Sequence, residues 1–322
     1  MALNPHLPPL PSVRTSLLAP LCTLALSAAA SAGGLEPGSF LLFPEVDNRP
    51  GESTYLTITN TNSDTISGGI DVHLVYIDAA NCLETDFVLH MTARDTVTIK
   101  TSAHVPGLQR GYAYAWAVDK ITHKSVDFDF LIGQELRLDG LVGADWSVQA
   151  LTFQGKPGPG LDTDLDHDGR PDLNGLEYDK APNVCYVPRF FGQWPDPVPR
   201  GGTVSELVLL QPLAPAGTNT TANFLIWNDN EEVYSAAYTF TCWKRVKLLQ
   251  VSGAFAQSFL TFTNHATTEV IGAPQIESGW FQVQGGTSVS PGGVASPNPP
   301  IFGMLIECRP NTAADLPYLL RP

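Results

Sequence analysis

The sequence predicts an all-β protein: two tandem antiparallel β-sandwiches of the immunoglobulin-like or Greek-key kind, arising from an internal duplication. Three observations carry this. Many short segments alternate apolar and polar residues with a period of two, and no segment sustains helical spacing over about twelve residues. The first half of the chain can also be laid on the second with matching residues. Gly 28 and Pro 27 in 322 residues, with only 16% charged, exclude a coiled coil and a charged disordered chain, and predict many turns. Lys+Arg 18 against Asp+Glu 32 gives a net charge of -14. With no basic cluster, that balance argues against nucleic acid and anionic membranes as partners.

Residues 1–32 read as a signal peptide. Arg14 is the only charged residue there, residues 17–30 are apolar, and Ala30-Ser31-Ala32 fits the small-residue cleavage pattern. Pro20 interrupts the apolar stretch, which is shorter than the ~20 residues of a membrane span. Leu21 stands where a lipoprotein signal has a small residue before its Cys, so Cys22 is not read as a lipid anchor. No later apolar run is long enough to span, so the mature chain is expected to be secreted or held in the cell envelope or periplasm. It keeps Cys82, Cys185, Cys242 and Cys308, which can pair in three ways. A Cys185–Cys308 bridge would clasp the ends of the second copy, leaving Cys82 and Cys242 to bridge the copies or stay free.

The first sandwich is assigned to residues 36–154. Leu56 and Ile58 alternate with Tyr55, Thr57 and Thr59, Val97 and Ile99 with threonines, and Phe128, Phe130 and Ile132 with Asp127, Asp129 and Leu131. Further strand-like runs cover 72–76 and 111–118. In the latter, Tyr112, Tyr114 and Trp116 share one face and Ala113, Ala115 and Ala117 the other. Such a strip is either a sandwich core or a platform for sugar rings or peptide. The second sandwich, residues 183–310, carries runs at 207–210, 224–227, 238–242, 246–251, 259–263 and 279–284, and 311–322 form a C-terminal tail.

The repeat aligns Phe40 with Phe191, Pro44 with Pro195, Arg49 with Arg200, Gly51 with Gly202 and Leu56 with Leu207. Further on, Val97-Thr98-Ile99 matches Val246-Lys247-Leu248, Gly111-Tyr112-Ala113-Tyr114 matches Gly279-Trp280-Phe281-Gln282, and Leu131-Ile132 matches Leu305-Ile306. The shifts between these matches are assigned to the loops 264–274 and 285–300.

The linker 155–182 holds the one motif with definite chemistry. A Gly/Pro stretch at 155–160 reads as a flexible joint, and residues 162–177 are rich in aspartate. A hard cation needs six to eight oxygens on a tight curve, which alternate carboxylates and a turn glycine supply. Asp164, Asp166 and Asp168 fall at loop positions 1, 3 and 5, and Gly169 at 6. The carbonyl of Arg170 would serve at 7 and Asp172 at 9. The stretch resembles the calcium loops of thrombospondin type-3 repeats and, less closely, of EF-hands. The resemblance covers residues 162–177 and implies a Ca2+ ligand. It departs at position 12, where Gly175 replaces the acidic residue and Glu177 is left to supply the bidentate oxygens. Weak affinity, on the order of 10⁻⁴–10⁻³ M, is the expectation. The ion would turn the joint into a strut between the sandwiches.

With Phe191-Gly192-Gln193 and Leu173-Asn174-Gly175-Leu176-Glu177-Tyr178, the chain also resembles uncharacterised secreted bacterial proteins built from tandem β-sandwiches. That resemblance implies an extracellular or envelope setting and says nothing about activity or substrate. His-Glu-x-x-His, Gly-x-Ser-x-Gly, P-loop and Cys-x-x-Cys motifs are absent from the sequence, and His73, His90, His104, His123, His167 and His265 are scattered. The sequence therefore reads as a secreted, calcium-braced structural or binding module without catalytic activity. The alternative is a carbohydrate- or peptide-binding accessory protein with an extracellular glycan or protein as partner. A secreted hydrolase would require carboxylates and histidines from both copies to converge in one cleft.

Overall fold

The structure, a computed structural model, describes residues 36–140, 144–196, 198, 202–263, 277–308 and 318–319. The predicted signal peptide, the loop 264–274 and all but two residues of the predicted tail lie outside them. The first half comprises β1 (Phe40–Asp47), β2 (Glu52–Asn60), β3 (Ile70–Asp78), β4 (Glu84–Met91), β5 (Thr96–Lys100), α1 (Thr101–His104), β6 (Arg110–Val118), β7 (Leu131–Asp139), β8 (Ala144–Gln149) and β9 (Leu151–Phe153). The second comprises β10 (Val184–Phe191), β11 (Val204–Leu210), β12 (Asn219–Asn228), β13 (Val233–Phe240), β14 (Trp243–Lys247), α2 (Leu248–Val251), α3 (Gln257–Thr263), β15 (Ser278–Val289), β16 (Ala295–Pro297), β17 (Phe302–Cys308) and β18 (Tyr318–Leu319).

These strands form four antiparallel sheets. Sheet I has the order β4-β3-β6-β1-β9 and sheet II the order β5-β2-β7-β8. Sheet III runs β14-β11-β17-β18 and sheet IV runs β13-β12-β15-β10, with β16 added on β15. Setting β9 and β16 aside, sheets I and IV have one strand order, as do sheets II and III, and a short helix follows the fifth strand of each half. Even the irregularities recur. The first strand of each half bulges, between Phe43 and Val46 in β1 and between Val187 and Phe190 in β10. Beyond the bulge Val46 faces Gly111 and Phe190 faces Gly279. A Cβ on Gly111 would lie 1.8 Å from the Ile77 carbonyl oxygen and one on Gly279 2.1 Å from that of Trp227, so the neighbouring backbone requires glycine at both places.

The registers correct parts of the sequence alignment. Val46 corresponds to Phe190, so the Phe40/Phe191 and Pro44/Pro195 matches fall out of register. Leu56 faces Glu135 and Ile99, while Leu207 faces Leu305 and Val246. With Leu56 and Leu207 kept as partners, Leu305 corresponds to Glu135 rather than Leu131, and Val246 to Ile99 rather than Val97.

Alternation sorts the side chains into three cores. Leu41, Phe43, Leu56, Ile58, Leu74, Ala113 and Ala115 fill the space between sheets I and II. Val187, Leu207, Leu209, Phe224 and Phe281 fill that between sheets III and IV. The third core joins the halves: Phe40, Leu42, Tyr112, Tyr114 and Trp116 of sheet I meet Val208, Leu210, Phe302, Met304 and Ile306 of sheet III. The layer order is therefore II, I, III, IV. β1 and β6 are buried on both faces, which is why residues 40–43 read as an unbroken apolar run. The aromatic strip of β6 is thus core, and its reading as a ligand platform does not hold.

The same packing corrects the expectation of a flexible joint. The halves are held by this third core, by a Cys82–Cys242 disulfide between them, and by Trp243, whose Nε1 donates to the Pro44 carbonyl at 2.9 Å. The Cys185–Cys308 pairing is not formed. Cys185 is a free buried thiol facing the second-half core, and its Sγ donates to the Ile301 carbonyl at 3.0 Å.

Three strand assignments also change. Residues 257–263 form α3, with Thr261 Oγ1 donating to the Gln257 carbonyl at 2.9 Å, Leu260 buried and Phe262 91% exposed. That is one-sided helical burial, not alternation. The run 246–251 leaves its strand after Lys247 and becomes α2. Phe128 and Phe130 precede β7 in a tight turn, where the Phe130 N–H bonds the Phe128 carbonyl at 2.7 Å, so Leu131 faces inward and Ile132 outward.

Candidate functional site

The acidic loop is stapled to the body at its base. Gly155 and Tyr178 form a bridge, the Lys156 N–H bonds the Glu177 carbonyl at 2.9 Å, and the Asp179 N–H bonds the Gln154 carbonyl at 2.9 Å. Tyr178 is buried in the third core with its hydroxyl 2.8 Å from that of Thr163. Within the loop, one carboxylate oxygen from each of Asp164, Asp166 and Asp168 lies within 4.8 Å of the other two. Left-handed backbone at His167 (φ 61) and Gly169 (φ 79) makes the curve. Asp164 accepts the Asp168 N–H at 3.2 Å and the Gly169 N–H at 3.0 Å, and Asp168 accepts the Arg170 N–H at 2.8 Å.

Asp172 and Glu177, the other predicted carboxylate ligands, are not among these three. Glu177 is buried, and its two carboxylate oxygens accept the Leu165 N–H at 2.8 Å and the Asp172 N–H at 2.9 Å. It ties the two limbs of the loop together, as a clamp outside the aspartate cluster. Burial raises its pKa against the pull of those two hydrogen bonds. Asp172 accepts from Asn174 at 3.2 Å, and burial followed by the charges of Asp166, Asp168 and Asp164 raises its pKa. The Arg170 side chain, as distinct from the carbonyl expected at position 7, pairs with Glu84 at 3.2 Å. The converged set is therefore three carboxylates, a donor type suited to a hard divalent cation.

A second cluster is buried. The bulge in β1 carries Glu45 to Arg137 at 3.0 Å and to Arg245 of the second half at 2.9 Å. Arg137, fully buried beneath the Trp146 ring, also meets Glu52 at 2.8 Å and Asp47 at 3.5 Å. Burial works against ionisation of Asp47, but Arg49, Arg137 and Arg110 outweigh it and hold its pKa down to about 2. Glu135 accepts the Glu45 N–H at 3.1 Å, and burial together with the Glu45 charge pushes its pKa up to about 8. Glu45 and Glu135 are 0% and 1% exposed, out of a substrate's reach, so the cluster reads as internal, with the Glu45–Arg245 pair as an ionic joint between the halves. Sequence reasoning missed it, although Glu135 and Arg137 stand at the inward phase of an alternating strand, which is the available signal.

No family model and no curated protein matches the chain. A solved structure described as the crystal structure of Thermotoga maritima 1070 is similar over 39% of this chain and 98% of that one, at 10% identity and a TM-score of 0.28. That score is too low to carry an argument.

Proposed function

We propose that the chain is an exported, non-catalytic structural or binding module whose loop 162–177 takes up calcium. The observation carrying the calcium reading is the convergence of Asp164, Asp166 and Asp168 within 4.8 Å, a crowding of like charges that a cation would relieve. The N-terminal segment read as a signal peptide supports export. So does the disulfide, a bond of oxidising compartments, and no helix among the described residues is long and apolar enough to cross a membrane. Because the halves already share a core and a disulfide, the ion's part is to order the loop.

Calorimetric titration with calcium tests this. The expected result is binding on the order of 10⁻⁴–10⁻³ M, lost in Asp166→Asn/Asp168→Asn, with about 2.7 kcal/mol of added stability at a hundredfold excess over Kd. No heat at millimolar calcium, together with a melting curve that EDTA leaves unchanged, overturns the reading. A second reading, a glycan- or peptide-binding accessory protein, is favoured by the open outer face of sheet IV.

A further inference from the structure

The outer face of sheet IV has the build of a ligand surface. Opposite pairs on β12 and β15 line it: Trp227 with Trp280, Leu225 with Gln282, and Asn223 with Gln284. The two indoles stack at 3.9 Å with planes 3° apart, and Trp280 is 37% exposed. On β10, Tyr186 stands opposite Gln282 and is 46% exposed. On the other side Ser235 and Ala237 of β13 keep the rim low. The result is a shallow groove of about 500 Å³ along Asn223, Leu225, Ser235, Ala237, Gln282 and Gln284. From the indoles beside it to the Asn223–Gln284 pair, the sheet face runs about 14 Å at roughly 3.4 Å per residue.

Comparison with the first half shows what this face is not. Sheet I presents the corresponding face to sheet III. Register places its Tyr112, Tyr114 and Trp116 where sheet IV has Trp280, Gln282 and Gln284, and its Val75 and His73 where sheet IV has Leu225 and Asn223. A face that buries against a protein layer thus carries aromatic rings at the positions where the open one carries amides. Among the described residues the side-chain amides of Asn223, Gln282 and Gln284 make no hydrogen bond, and burying them against an apolar partner would cost each its water. None of the named groove residues is charged, although the chain carries -14. Free amides beside an indole pair and a tyrosine match a ligand that is uncharged, rich in hydroxyls and faced with C–H groups.

We propose that this face binds a neutral polysaccharide, with Trp280 and Tyr186 against the sugar rings and Asn223, Gln282 and Gln284 bonding the hydroxyls. This deepens the reading of the chain as a binding module and is independent of the acidic loop. The test is retention of the full chain on microcrystalline cellulose, chitin, xylan, mannan and dextran, in calcium and in EDTA, with analytical ultracentrifugation alongside. At least one polymer is expected to retain it equally in both buffers. Trp280→Ala and Gln284→Ala should each weaken that retention about tenfold, with unchanged melting, while Trp194→Ala, an exposed indole elsewhere, leaves it intact. Retention on none of the polymers, or retention that both groove variants preserve, overturns the proposal. So does retention lost only in EDTA, which would move the contact to the acidic loop. A wild-type dimer that Trp280→Ala dissociates would assign the face to a second copy and overturn it as well.

Discussion

Glu135 is a buried carboxyl whose raised pKa gives folding a pH dependence in the neutral range. Its carboxyl is sealed beside Glu45, and its folded pKa stands near 8, above the ordinary value of 4.5. An acid raised in the folded state stabilises that state only while protonated. Its contribution is complete below about pH 4.5 and is lost as pH rises through about 8. Glu135→Gln, which keeps the shape and never ionises, is therefore expected to melt with the wild type at pH 5 and above it at pH 9, measured by thermal unfolding across that range. Equal melting at both ends would show that the proton is not held. The residue could have been singled out from the sequence as a carboxylate at an inward position of an alternating strand, but its partners could not. Arg245 lies on another strand of the other half, and only folding brings it to Glu45.

At the scale of elements, what the sequence disclosed depended on local period. Strands β2, β5, β12 and β15 follow from their alternation, because one face of each is buried and the other open. Short apolar runs were ambiguous. The segment at 257–263 is rich in Phe and Thr, residues that favour strands, yet the packing of Leu260 makes it a helix. The loop was legible because its spacing is itself the chemistry, whereas the folding-back of Glu177 onto two backbone N–H groups left no trace in the spacing. The duplication was legible where geometry allows no choice, as at Gly111 and Gly279. Alanine at either is expected to force the paired strands apart and to cost several kcal/mol, at or beyond the upper end of ordinary single substitutions, as chemical denaturation would measure. A loss under 1 kcal/mol would mean the strand shifts without penalty.

On the scale of the whole molecule, the third core makes the two halves one cooperative body. Calorimetry is expected to show a single transition. Cys82→Ala/Cys242→Ala should lower it by up to about 5 kcal/mol in the chain-entropy description of a crosslink spanning 160 residues, without splitting it. Two resolved peaks would show that the apolar contact is weaker than its composition implies. The contact is also head to tail: a sheet I-type face meets a sheet III-type face, so both kinds remain free at the ends of the stack. At one end, sheet II presents Thr57 and Thr59, hydrogen-bonded to Thr98 and Thr96, where sheet III presents Val208 and Leu210. Those hydroxyls act as a stop. Thr57→Val/Thr59→Leu is expected to give concentration-dependent association in sedimentation, and a strictly monomeric variant would deny them that part.

The head-to-tail join also gives the protein a direction, as a brick has when only one of its ends is left rough. Spread on a flat polymer, such molecules would all stand the same way up, amides and indoles beneath, hydroxyl coat above. A layer made this way would stop at one molecule thick.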